Sequence, residues 1–144
     1  MNVVCAEKQE LADIYQLEHT LFGDHAYPQF FFRQAFDCWG KGLLVAKQEL
    51  KVAGYVLMTP TDKPQEYWVL SLAVDQEFRG MGVGRLLMQQ AIATLPQESK
   101  ILLTVDPNNT SAYALYASMG FVTIKEESNY FGDDEPRLVM QLII

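Results

Sequence analysis

The chain has 144 residues, of which 49% are hydrophobic and 20% charged, with a formal net charge of −7. That length fits one domain over residues 1–144, and the composition excludes a chain that is mainly disordered. No apolar run reaches the roughly 18 residues of a membrane span, and the excess of acid argues against a partner whose phosphates must be neutralised, so neither membrane nor nucleic acid is expected.

Met1 to Ala6 carries no basic segment followed by an apolar stretch, so no signal peptide is expected. Val3 to Cys5 reads as a short strand. Glu7 to Leu21 reads as a helix carrying Leu11, Ile14, Glu18 and Leu21 on one side. Gly23 to Pro28 interrupts it, and Gln29 to Phe36 forms a second helix crowded with phenylalanine. Leu43 to Lys47 and Val52 to Met58 read as the two strands of a hairpin. Tyr67 to Val74 is apolar on both faces except at Ser71, which places it centrally in a sheet. Val83, Leu87, Ala91 and Leu95 then recur at helical spacing up to Pro96. Ile101 to Val105 is a strand and Asp106 to Asn109 a turn. Ala112, Leu115, Tyr116 and Met119 share one face of a short helix ended by Gly120. Phe121 to Ile124 and Leu138 to Ile144 are strands that flank an acidic loop. The order β-α-α-β-β-β-α-β-α-β-β predicts an α/β (α+β) architecture: a mixed sheet covered by helices.

Cys5 and Cys38 are far apart in sequence and lack metal-like spacing, which predicts packed, reduced thiols and a cytoplasmic protein. His19 and His25 have no partners at ligand spacing, so no metal site is expected.

The most informative stretch is Arg79-Gly80-Met81-Gly82-Val83-Gly84-Arg85, which follows the central strand and opens a helix. Three glycines allow positive φ and close approach of a ligand to the backbone. Amides of Gly82, Val83 and Gly84 at a helix N-terminus form a nest for a diphosphate, and Arg79 and Arg85 add charge. A simple helix-capping turn would need fewer glycines. The Walker pattern lacks its Lys, and the dinucleotide fingerprint lacks its glycine spacing and a later acidic residue.

Arg79, Gly82 and Gly84 match the Gln/Arg-x-x-Gly-x-Gly/Ala signature of the GNAT superfamily of acyl-CoA N-acyltransferases. Asn109, Ala112, Leu115, Tyr116, Gly120 and Phe121 match that family's second block in order. The chain therefore resembles GNAT enzymes, and most closely the RimI-type ribosomal-protein alanine N-acetyltransferases. Tyr27-Pro28, the run Leu72 to Phe78 and the segment Asn129 to Leu142 carry that further likeness. The resemblance implies a GNAT-like, mostly antiparallel sheet and direct transfer of acetyl from acetyl-CoA to an amine. The acceptor would be a peptide N-terminus or a small molecule, and the enzyme a monomer or homodimer. It implies that Leu72, Ala73 and Val74 pair with the pantetheine arm, that Asn109 contacts the cofactor, and that Tyr116 is the general acid. An acceptor pocket would be lined by Tyr27, Phe31, Tyr130 and Phe131, rimmed by Asp133, Asp134 and Glu135. RimI-like sequences carry a Glu as general base where this chain has Thr104. Glu18, His19, Glu66, Ser71 and Asp106 are the alternatives for that role. A non-catalytic acyl-CoA sensor is the competing reading, and a nucleotide phosphotransferase, which would need metal-binding carboxylates, a third.

Overall fold

A computed structural model describes all residues, Met1–Ile144. It contains seven strands, β1 (Asn2–Cys5), β2 (Leu43–Gln48), β3 (Lys51–Pro60), β4 (Glu66–Val74), β5 (Lys100–Val105), β6 (Val122–Glu127) and β7 (Arg137–Ile143). Four helices accompany them, α1 (Leu11–Phe22), α2 (Gln29–Trp39), α3 (Val83–Ala93) and α4 (Thr110–Ser118). The predicted order of elements is the observed one. The strands are hydrogen-bonded in the order β1-β2-β3-β4-β5-β7-β6, which makes β4 the middle strand. The β1–β2, β2–β3, β5–β7 and β6–β7 ladders are antiparallel, and β4 runs parallel to β5.

The chain forms two compact units, interleaved in sequence: residues 1–59 with 71–94, and residues 60–70 with 95–144. In the first unit β1 pairs with β2 and β2 with β3. Their apolar residues are fully buried at Leu43, Val45, Ala46, Tyr55, Val56 and Leu57. Burying such side chains contributes about 1.5 to 3 kcal/mol each. Gly54 allows a close approach here, because a Cβ on it would lie 2.8 Å from the Ala73 carbonyl oxygen and 3.1 Å from Leu87 Cδ1. The absence of that Cβ seats the first turns of α3 on the sheet. The Asp75 N–H donates to the Ala53 carbonyl at 2.8 Å and fixes the chain as it leaves β4. Helix α1 buries Ile14, Leu17 and Glu18, and α2 buries Phe32 and Ala35.

In the second unit the β4–β5 ladder runs from Glu66 opposite Lys100 to Val69 opposite Leu103 and stops there. Beyond it, β5 continues opposite β7 alone, Thr104 facing Val139 and Val105 facing Leu138. Helix α4 keeps Tyr116 buried and leaves Ser111, Tyr113, Ala114 and Ala117 exposed, as its predicted face requires. No helix is long and apolar enough to cross a membrane. The thiol expectation is corrected: Cys5 and Cys38 are both exposed, and neither is packed. Cys5 sits on the strand at the sheet edge, and Cys38 lies on the outer side of α2, so their apolar character is not used.

Candidate active site

The first unit holds the glycine turn, the end of β4 and the α1–α2 turn. Gly80 and Gly82 have φ of +78° and +77°, the left-handed region that glycine enters without strain. Nothing lies within 4 Å of a Cβ built on either, so backbone conformation and not packing selects glycine there. Gly84 departs from the expectation: it is the second residue of α3 and turns helically. Gly82 is the N-cap of α3, and no side chain caps it. The first-turn N–H groups of α3 therefore have no intrahelical acceptor, and the helix dipole adds partial positive charge beside them. Arg79, Met81 and Arg85 are exposed around this turn, while Val83 is buried against the sheet. The arrangement fits a diphosphate: open space, left-handed glycines, amide donors and two guanidinium groups.

Leu72 and Val74 are half-buried and Ala73 is buried. They lie past Val69, where the ladder with β5 ends. That edge of β4 fits an extended, amide-bearing arm by strand addition. The glycine turn follows within one short 3-10 turn, Gln76–Phe78, held by the Asp75 carboxylate accepting the Glu77 N–H at 2.9 Å.

At the α1–α2 turn, Tyr27 and Phe31 stack with ring centroids 4.3 Å apart and planes 18° apart. Phe32 meets Phe31 edge-on at 5.7 Å and Tyr55 edge-on at 5.6 Å. Tyr27 and Phe31 are half-buried, whereas Phe32 and Tyr55 are fully buried. Beneath them Glu18 is 2% exposed. Its carboxylate accepts the Tyr27 N–H at 2.9 Å, the Tyr55 hydroxyl at 2.5 Å and the Ser71 hydroxyl at 3.1 Å. Burial, with the Glu18 charge second, pushes the Tyr55 phenol well above its ordinary value and keeps it a donor. Sequence reasoning missed Tyr55 altogether, because it reads as one more apolar position of a strand.

The second unit holds Asn109, Tyr116, Tyr130 and Phe131. Asn109 is the N-cap of α4, its side-chain oxygen accepting from the Ala112 N–H at 3.1 Å and the Ser111 hydroxyl at 3.2 Å. Its oxygen is thus committed to the helix, and its NH2 group is the part suited to a ligand. Tyr116 is 7% exposed and packs against Phe121 at 5.9 Å. Burial pushes its phenol up to about 12. Tyr130 and Phe131 meet edge-on at 4.7 Å, and the Arg137 guanidinium sits 5.0 Å over the Phe131 ring. Asp133 and Asp134 are exposed, and Glu135 pairs with Arg137 at 3.6 Å.

The alternatives for a base separate on geometry. Glu66 accepts from the Thr61 hydroxyl at 2.7 Å and stands five residues before Ser71, roughly 16 Å of strand. Asp106 accepts the Asn108 N–H at 2.9 Å in a local turn. His19 is exposed and stacks on Tyr15 at 5.8 Å. Glu18 is buried, and both of its carboxylate oxygens are engaged, by the Tyr27 N–H and by the Tyr55 and Ser71 hydroxyls, so neither is open to an acceptor amine. Thr104 is half-buried. A pocket of about 290 Å³ lies elsewhere in the first unit, lined by Asp13, Gln16, Leu17, Lys51, Val52 and Asp75 among others. Asp75 and Gln76, which lead into the glycine turn, border it, but none of the site residues expected from the sequence does. No group of three or more His, Cys, Asp or Glu is placed to hold a metal ion.

The N-alpha-acetyltransferase of Sulfurisphaera tokodaii is 26% identical over 128 residues, covering 79% of this chain and 76% of that one. The N-alpha-acetyltransferase RimI of Mycobacterium tuberculosis is 28% identical over 119 residues, covering 81% and 75%. The crystal structure of Ard1 from Thermoplasma volcanium superposes with a TM-score of 0.89 at 23% identity, over 99% of this chain and 97% of that one. Residues 8–121 match the model of the acetyltransferase (GNAT) family. The chain therefore belongs to the GNAT acetyltransferases, enzymes that move an acetyl group from acetyl-CoA to an amine.

Proposed function

We propose that this enzyme acetylates the α-amine of a peptide or protein N-terminus by direct transfer from acetyl-CoA. The observation that carries the reading is the continuity of β4 with the glycine turn. The strand ends its ladder with β5 at Val69 and runs directly into the left-handed turn at Gly80 and Gly82. One short segment thus offers an edge for a pantetheine arm and amides for a diphosphate. The likeness to N-alpha-acetyltransferases over about four-fifths of the chain, and the aromatic pair Tyr27–Phe31, favour a peptide acceptor over a small amine.

Bound acetyl-CoA supplies an activated acyl group and a thiolate leaving group. The turn Arg79–Arg85 and Asn109 hold the cofactor, and Leu72, Ala73 and Val74 align it. Fixing the reactants in this way supplies the proximity and orientation that direct transfer needs. An N–H of Ala73 or Val74 polarises the acyl carbonyl. Tyr27 and Phe31 line the path of the acceptor; contacts from Tyr130 and Phe131, and attraction of its ammonium group by Asp133 and Asp134, are further parts of the proposal.

Tyr116 acts at the leaving sulfur. A phenol titrating at about 12 is a weaker acid than a thiol near 8.5. Full proton transfer from it is uphill, so its contribution is a hydrogen bond donated to the developing thiolate. No side chain is assigned as general base; the amine gives its proton to water.

The test is release of CoA thiol from acetyl-CoA over a panel of peptides beginning with Ala, Ser and Met, and of small amines. Turnover with peptides and none with small amines supports the reading. Turnover confined to small amines replaces the acceptor, and CoA binding with no turnover on any amine favours an acyl-CoA sensor.

A further inference from the structure

The three donors on Glu18 come from three different elements. Tyr27 lies in the α1–α2 turn, Tyr55 on β3 and Ser71 on β4, and they are 9, 37 and 53 residues from Glu18. The Tyr55 and Ser71 hydroxyl oxygens are also 2.6 Å apart. Two hydroxyl protons cannot serve three contacts at full strength. The two short contacts form a chain, with Ser71 donating to Tyr55 and Tyr55 to Glu18, and the longer one is secondary. The other carboxylate oxygen takes the Tyr27 N–H.

The rings close a loop around the same carboxylate. Tyr27 stacks on Phe31, Phe31 meets Phe32, Phe32 meets Tyr55, and the Tyr55 hydroxyl returns to Glu18. A buried carboxylate is costly and persists only when it is fully hydrogen-bonded. An apolar residue there would fill the space more cheaply. It would not fasten the Tyr27 backbone to β4 one residue before Leu72.

We propose that Glu18 is a positioning residue for the acceptor: it sets the distance between the aromatic wall of Tyr27 and Phe31 and the strand that aligns the thioester. This rests on the reading that Tyr27 and Phe31 line the acceptor path. Glu18 touches neither substrate. Its removal frees the α1–α2 turn while the glycine turn stays in place.

The test is Glu18→Gln, assayed with whichever amine the wild type accepts. The glutamine has nearly the same shape but no charge; its carbonyl can keep the Tyr27 N–H, while its NH2 must donate to the hydroxyls, which reverses the Tyr55 and Ser71 bonds and replaces charge-assisted bonds by weaker neutral ones. The acceptor KM should rise about tenfold while the acetyl-CoA KM stays within about twofold. Tyr55→Phe should raise the same KM by a smaller factor. An unchanged acceptor KM overturns the proposal. So does a parallel loss in kcat and in both KM values, the mark of a general structural role. Should Glu18→Gln fail to fold, Ser71→Ala weakens the same chain and is judged by the same split. A wild type that acetylates no amine overturns the functional reading instead; a wild type that does, beside an unaltered Glu18→Gln, overturns only this inference.

Discussion

Tyr116 offers a test of its burial that does not depend on knowing the acceptor. Its phenol titrates at about 12 in the fold and near 10 in the unfolded chain. A raised acid contributes stability that is fully present below the unfolded value and is lost as pH rises towards the folded one. At pH 11 the unfolded phenol is about nine-tenths ionised and the folded one about one-tenth, which amounts to about 1.4 kcal/mol. At pH 8 both forms are neutral and this contribution does not change. Urea unfolding of the wild type and of Tyr116→Phe at both values isolates it, because every other group titrates in both proteins. The wild type should lose about 1.4 kcal/mol more than the variant between pH 8 and pH 11. Equal losses would mean that the phenol is as well solvated in the fold as out of it. The argument that burial makes Tyr116 too weak an acid for full proton transfer would then fall.

Three further outcomes follow from the same geometry. Gly82→Ala meets open space but must hold φ of +77°, so it should cost about 1 kcal/mol in stability; its methyl group should weaken CoA about tenfold or more in calorimetry, and an unchanged affinity would remove the amide nest. Asn109→Asp keeps the N-cap acceptor but replaces the amide donor by charge. It should unfold at nearly the wild-type temperature while binding CoA several-fold more weakly, whereas Asn109→Ala should lose about 1 kcal/mol as well. Asp133→Asn with Asp134→Asn should raise the acceptor KM a few-fold at low salt, with the difference fading above about 0.3 M as screening sets in; a salt-independent effect would refute long-range attraction.

What the sequence disclosed and what it concealed divide along sequence distance. The glycine turn, the α4 face and the central position of β4 are written in contiguous residues or in regular spacing. Asn109 was legible as a turn residue, and its capping bond to Ala112 is three residues long. The Glu18 cluster joins residues up to 53 apart, so no local pattern marks it. Tyr55 is hidden because alternate positions of a buried strand read alike whether or not a hydroxyl is engaged. The end of the β4–β5 ladder at Val69 was also invisible, since strand register is a tertiary property. Gly84 was misread for a related reason: three glycines permit a left-handed turn, and two suffice before the helix takes over.

The open placement of Cys5 and Cys38 bears on how turnover is followed. A chromogenic disulfide that reports liberated CoA will also be consumed by these two sulfhydryls, adding a rapid, enzyme-proportional offset of up to two equivalents per chain. Serine replacements at both sites, or alkylation before mixing, would leave a baseline against which slow transfer to poor acceptors becomes measurable.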